Sequence, residues 1–485
     1  MTLVEIVADV LAIQYEKRLL IFDTEGVMIA FDYPTMLASS SYRVVSYDDI
    51  EAFRLLYENE IRNSDGKWAV IVSNDSYVPY DIRKKFYAVQ LSLNTLFPRL
   101  DESTLKMNIS DLDIIGFTYG EVFADKLSAL ETECFISKTV FSAANIERYL
   151  EFRRLVLTEC ISSSSGKPLS YSEWFDIARA RALVEVYAAR AGLTVDLSFV
   201  DDAFAQFALG DYSKLSGQTS SAAPTILPKV FDYIAKDKAA LIVMDGMSLF
   251  DFNIFSRYFD GVEYELQCSY ALIPSTTAIS RQCLLSGKYP RQLENPFSLS
   301  KEEKGFYDAA AELGYTKKQA AYVRGYDVQP SPFTKLLAVI INDIDDIVHG
   351  QQQGRPGMYN DITLLAKTGR LQALIRFLHK AGFTVYLTAD HGNTLCRGIG
   401  ALRNTGVEVE TKAKRMLILK DFADVSNDVT ENTVEYPAYY LDKNYRYLIC
   451  KTGVSFDNKN SEVMTHGGIT LDEVIVPFVK IKAVD

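Results

Sequence analysis

The sequence predicts an α/β protein whose central, mostly parallel sheet is flanked by helices, and three observations carry that prediction. Compact apolar runs at Ala239 to Met244, Leu336 to Ile341, Phe383 to Leu387 and Met416 to Leu419 are of the kind that fills the middle of a parallel sheet. Amphipathic stretches such as Glu302 to Gly314 and Thr368 to Lys380 alternate with them. Composition agrees: 48% hydrophobic and 24% charged residues over 485 positions suit large buried cores and exclude disorder, collagen and coiled coil.

Ahead of that region, residues 1–110 read as a smaller α/β (Rossmann-like) domain with strands at Arg18 to Asp23 and Trp68 to Ser73. Polar residues close these strands at Asp23 to Gly26 and Asn74 to Ser76, where a crevice would form. Asp23 and Asp75 resemble the acidic pair of a phosphorylatable receiver domain. No lysine partner follows at a later strand end, so both read as turn formers.

Residues 111–224 read as a helical middle region, with helices at Ile146 to Cys160 and Ser172 to Ala191, the second stopped by Gly192. Arg153, Arg154, Arg179 and Arg181 are expected on solvated helix faces. Residues 213–225 are rich in Ser, Gly and Ala and read as a linker into the last domain, residues 225–485.

Charge and cysteines narrow the function classes. Lys plus Arg is 51 against 63 for Asp plus Glu, a net charge of −12, which excludes a chain that coats nucleic acid through its global field. The six cysteines form no C-x-x-C pair, so neither a disulfide framework nor a thiolate zinc cluster is signalled. Glu5 and Asp9 interrupt any secretory signal, and the longest apolar runs are of strand length. The expectation is a soluble, cytoplasmic protein without a membrane partner.

Only four histidines are present, and three occupy unusual settings: Asp345-Asp346-Ile347-Val348-His349-Gly350, Asp390-His391-Gly392 and Thr465-His466-Gly467-Gly468. The fourth, His379, ends an amphipathic helix, where a cation is favoured by the helix dipole. Asp245, Asp345 and Asp390 each follow a buried strand, so three carboxylates would meet at one sheet edge. Three such charges repel unless a cation lies between them, and neutral imidazoles in the same cluster make divalent metal the economical solution. A nucleophile is then wanted. The segment Ile273-Pro274-Ser275-Thr276-Thr277-Ala278-Ile279-Ser280-Arg281 offers hydroxyls at a loop-to-helix junction, and a helix N-terminus suits a bound phosphoryl group. A serine hydrolase elbow at Gly246-Met247-Ser248 fails, because Phe250 stands where the elbow needs glycine.

The ordered pieces VMDGMS, IPSTTAISRQCLLSG, DDIVHG, TADHGNT and MTHGGITLDEVIVP, from Val243 to Pro477, resemble the alkaline phosphatase superfamily and, within it, the PglZ-domain branch. That resemblance implies an alkaline-phosphatase-like fold for residues 225–485. It implies one metal on Asp245, Thr277, Asp390 and His391, and a second on Asp345, His349 and His466. Thr277, three residues after the proline, becomes the nucleophile. Ser280 stands where many relatives place an asparagine on the phosphoryl oxygens, so Ser280 and Arg281 are expected to replace that contact.

The reading that follows is a metal-dependent hydrolase of phosphate esters with two divalent metal ions, Zn²⁺ by donor type and Mn²⁺ as a replacement. The expected substrate is a phosphodiester, either nucleic acid or a small nucleotide, and the nucleophile would pass through a phosphothreonine. PglZ relatives occur in BREX phage-defence systems, which implies other defence proteins as partners. Alternatives are a metal-stabilised scaffold subunit of such a complex, or a phosphomonoesterase.

Overall fold

A computed structural model describes residues 2–25, 27, 31, 33–47, 49–73, 76–162, 168–400, 414–420 and 427–484. The chain forms two compact units, Met1–Tyr149 and Leu150–Asp485. The boundary between them falls inside the helix Ala143–Ser162, and the helices Tyr171–Arg190 and Ser198–Gly210 belong to the second unit.

The first unit contains an all-parallel sheet of β1 (Arg18–Phe22), β2 (Tyr42–Ser46), β3 (Lys67–Val72) and β4 (Tyr87–Gln90), in the order β2-β3-β1-β4. One side of its core is built by Leu20, Trp68, Val70 and Val72 against Phe53, Tyr57, Ile61 and Phe86. Asp23, at the end of β1, accepts hydrogen bonds from the Val27 amide at 2.7 Å and the Tyr33 hydroxyl at 2.9 Å, a local structural use. Asp75, Asn74 and Gly26 lie outside the described residues.

The second unit is organised around a six-stranded sheet. Its members are β5 (Ala239–Met244), β6 (Val262–Tyr270), β7 (Ala320–Arg324), β8 (Leu336–Ile341), β9 (Thr384–Thr388) and a C-terminal strand, Ile475–Val484. The central β5 pairs in parallel with β8 and β9, and β7 extends the parallel set beside β8. β5 and β8 are buried at every position, which is why they read as unbroken apolar runs without alternation. Ile475–Val484 runs antiparallel between β9 and β6. Its first residue therefore starts at the edge where β5, β8 and β9 end.

Two smaller sheets complete the unit: β10 (Thr394–Gly398) between a short strand at Val454–Ser455 and a strand at Glu462–Thr465, and β11 (Met416–Lys420) paired antiparallel with Tyr445–Cys450, which also pairs with Thr433–Tyr436. The apolar run at Met416 is thus a strand, but not of the parallel sheet as its composition suggested. It packs in an antiparallel sheet whose core includes Leu417, Leu419, Leu448 and Cys450. The linker-like stretch is likewise ordered: Tyr212–Gly217 is a short 3₁₀ helix, and Thr225 accepts a hydrogen bond from the Tyr270 amide at 3.0 Å.

Candidate metal centre and nucleophile

The three parallel strands deliver their carboxylates to one edge through different local devices. Asp245 follows β5 directly, and Gly246 turns the chain with φ +74°, a left-handed conformation that favours glycine. A Cβ at Gly246 would lie 3.5 Å from the Asp345 side chain, so the two loops approach closely. After β8 the chain enters the helix Asp343–Gly350, in which Asp345 and His349, one turn apart, share a face with 3.4 Å between Oδ2 and Nε2. Asp390 and His391 follow β9.

His466 arrives from far along the chain by strand pairing. β10 begins three residues after His391, and its Thr394 is the register partner of Thr465, the last residue of the Glu462–Thr465 strand. The two histidines therefore emerge beside each other, their rings stacked with centroids 4.1 Å apart. The His349 ring meets the His466 ring edge-on, with centroids 5.4 Å apart.

Among the described residues two donor groups result: Asp245, Asp390 and His391, and Asp345, His391 and His466. Thr277 opens the helix Thr277–Ser286, and its hydroxyl lies 3.0 Å from His391 Nε2 and 3.5 Å from Asp245 Oδ1. His466 Nε2, Asp345 Oδ1 and Asp390 Oδ2 are buried without a hydrogen-bond partner. Burying such atoms unpaired is costly, so their convergence fits a divalent cation held by oxygen and imidazole nitrogen.

The imidazoles are held from behind. His466 Nδ1 lies 3.0 Å from the Ser275 carbonyl and His391 Nδ1 3.0 Å from the Gly392 carbonyl; donation to those oxygens leaves each Nε2 free to face the cluster. Burial, reinforced by neighbouring His391, pushes the His466 pKa down to about 4, which keeps this ring in the neutral form that ligates metal. Burial raises Asp245 to about 7, with Asp390 adding to the effect, and raises Asp390 to about 6. For Asp345 burial pulls upward, but the His349 hydrogen bond and the surrounding imidazoles win and hold it well below the ordinary carboxylate range.

Ser280 and Arg281 are placed differently from the phosphate contact expected of them. Ser280 is fully buried, with its hydroxyl between the Leu272 amide at 3.1 Å and carbonyl at 3.3 Å. Arg281 is 1% exposed and hydrogen-bonds the Asp245 and Glu302 carboxylates. Thr277, Ser280 and Arg281 lie toward one side of the helix, three and four residues apart; Thr277 at its N-terminus reaches the cluster, while Ser280 and Arg281 are taken up by Leu272, Asp245 and Glu302. Arg415 is also structural: it is buried, paired with Glu473, and donates to the carbonyls of Val454 and Lys451 at 3.0 Å.

Several contributors escape motif reading. Asn393 Nδ2 donates to the Gly246 carbonyl at 2.9 Å and to Asp251 at 2.7 Å, clamping the loop after Asp245 to the loop after Asp390. Ser275 Oγ accepts from the Gly467 amide at 3.1 Å and ties the loop before Thr277 to the His466 loop. The TADHGNT motif contains Asn393, but nothing local to it names Gly246 as its partner.

A mostly parallel sheet with helices on its faces and an acid and imidazole cluster at its strand ends is the alkaline-phosphatase-like architecture. Residues 227–481, just over half of the chain, match the family described as the BREX system PglZ alkaline phosphatase-like domain, and the chain belongs to that family. No curated protein matches the sequence. Among solved structures, murine ectonucleotide pyrophosphatase / phosphodiesterase 5 is similar at 13% identity over 50% of this chain and 87% of that one, with a TM-score of 0.35. The human protein of the same name gives 14% identity, the same coverages and 0.35. Phosphonoacetate hydrolase from Sinorhizobium meliloti 1021, in complex with phosphonoacetate, gives 11% identity over 50% and 90%, with 0.29.

Proposed function

We propose that the PglZ domain is a metal-dependent hydrolase of phosphate esters, acting as a phosphodiesterase or nuclease in phage defence with Thr277 as its nucleophile. The observation that carries this reading is the convergence of two acid and imidazole donor groups sharing His391, whose Nε2 lies 3.0 Å from the Thr277 hydroxyl at a helix N-terminus. Asp245, Thr277, Asp390 and His391 would hold one divalent ion, and Asp345, His349 and His466 a second. Zn²⁺ suits these donors, with Mn²⁺ as a replacement; when bound, such ions supply an acidified hydroxyl and neutralise charge at the phosphoryl oxygens.

Thr277 Oγ1 gives its proton to water and attacks phosphorus in line with the departing oxygen, which takes up a proton from water as it leaves. The P–O bond to the leaving group breaks as the bond to threonine forms. Water then hydrolyses the phosphothreonine and restores the hydroxyl. The N-terminus of the helix Thr277–Ser286 would favour the negative phosphoryl oxygens, a contact for which the Ser280 and Arg281 side chains are not free. Family membership supports the defence setting and other defence-system proteins as partners.

Thr277→Ala is expected to bring hydrolysis of a simple phosphodiester reporter down to background while metal content stays at the wild-type level. Wild-type turnover in that variant would overturn the assignment of the nucleophile. The net charge of −12 favours a small nucleotide, or a partner that brings its own basic groove to a longer nucleic acid. Comparing plasmid and dinucleotide substrates across salt concentrations separates these, since only the long polyanion should lose affinity steeply with salt.

A further inference from the structure

The two carboxylates of the Thr277 half of the centre are each divided between an oxygen held by the protein and an oxygen presented to the cluster. Asp390 Oδ1 accepts from the backbone amides of Gly246 at 3.2 Å and His391 at 3.1 Å, while its Oδ2 is buried, accepts no hydrogen bond, and lies 3.8 Å from Arg281 Nη1 and 3.9 Å from His391 Nε2. Asp245 Oδ1 faces Thr277 and lies 3.6 Å from His391 Nε2. Its Oδ2 has no backbone amide. It receives Nη1 of Arg281 instead.

We infer that Arg281 is a positioning residue of the metal centre, which takes Asp245 Oδ2 out of the coordination set so that Asp245 offers a single oxygen beside Thr277. The inference rests on the metal reading above. For Asp245, Arg281 does what two backbone amides do for Asp390.

The guanidinium is itself fixed from the far side. Arg281 Nε donates to Glu302 Oε2 at 2.7 Å, and Glu302 Oε1 accepts from Arg324 Nη2 at 3.0 Å and from the Tyr322 hydroxyl. Glu302 is 2% exposed, whereas the Arg324 side chain is 49% exposed, so the chain of contacts runs from the surface edge strand β7 inward to the ligand. A planar fork can serve Asp245 and Glu302 at once along two directions, which a lysine ammonium on a flexible stem does poorly. With Oδ2 occupied, Asp245 would offer a bound ion one oxygen rather than two, which would leave room for a phosphoryl oxygen.

Cobalt(II) substitution in the full-length protein tests this without recourse to turnover, because visible absorbance per ion falls as coordination number rises. Arg281→Met is expected to retain the wild-type cobalt content but lose about half or more of its absorbance per ion, as Asp245 Oδ2 enters the coordination sphere. Arg281→Lys should fall between the two. Glu302→Gln, which loosens the guanidinium without removing it, should shift the spectrum in the same direction and provides the reading if Arg281→Met does not fold. Superimposable spectra for a cobalt-loaded variant and the wild type would overturn the positioning role alone. A wild type that takes up no cobalt would remove the metal reading and this inference with it.

Discussion

Asn393 shows how much of the centre depends on residues that touch no substrate. Its amide joins the Gly246 carbonyl to Asp251, and Arg355 approaches its oxygen at 3.3 Å from the helix Gly354–Lys367. Removing the clamp frees the loops that carry Asp245 and Asp390. Asn393→Ala is expected to weaken metal binding by roughly 10–100-fold, read by competition with a chromophoric chelator, with the fold retained. Beside it, a Cβ at Gly392 would lie 1.9 Å from the Asp472 carbonyl, a distance no side chain can occupy. Gly392→Ala is therefore expected to cost about 1–3 kcal/mol or more in denaturant titration and to disturb the neighbouring ligands. Glycine was visible at this position in the sequence, but the carbonyl that requires it comes from a segment eighty residues further along the chain.

Among the elements, the helix Tyr171–Arg190 departs most from its sequence pattern. Arg154 and Arg179 do form local pairs with Glu151 and Asp176, as helix-face arginines would. Arg181 does not: it is 4% exposed and meets Asp201 at 2.5 Å, Glu185 at 3.3 Å and Asp472 at 3.2 Å, while Arg355 bridges Glu185 at 3.1 Å and Asp472 at 2.7 Å. Five charges from four elements close on one another. The pattern misled because a helix with arginine on one face looks the same whether that face meets water or acids supplied by another part of the chain. Arg181→Ala leaves Asp201 and Asp472 short of a partner inside the unit, and a loss of about 3–5 kcal/mol is expected in equilibrium unfolding. An effect near zero would mean that water reaches the cluster.

Across the whole molecule, the proposed metal centre would set metal and proton in competition for the same carboxylates. Asp245 and Asp390 have folded-state pKa values raised to about 7 and about 6 from 3.8, so the metal-free folded chain holds more protons there than the unfolded chain between about pH 4 and 7. Their contribution to metal-free stability is thus present at low pH and lost as pH rises through that window. Ligation requires the deprotonated forms, so added metal restores the loss. The rise in melting temperature on adding Zn²⁺ to chelator-treated protein is expected to be larger at pH 8 than at pH 5.5. An equal rise at both values would detach those carboxylates from the metal.

The sequence by itself determined the α/β class, the buried strands β5 and β8 to the residue, and the ordered motifs that mark a PglZ domain, because strand length and apolar runs are properties of contiguous chain. Tertiary structure alone decided that Arg281 turns to Asp245 and Glu302, that Ser280 binds Leu272, that Arg181 is buried, and that His466 stands against His391 through the Thr394 and Thr465 register. Each of those contacts depends on which distant segment lies opposite, and local sequence periodicity does not specify that partner.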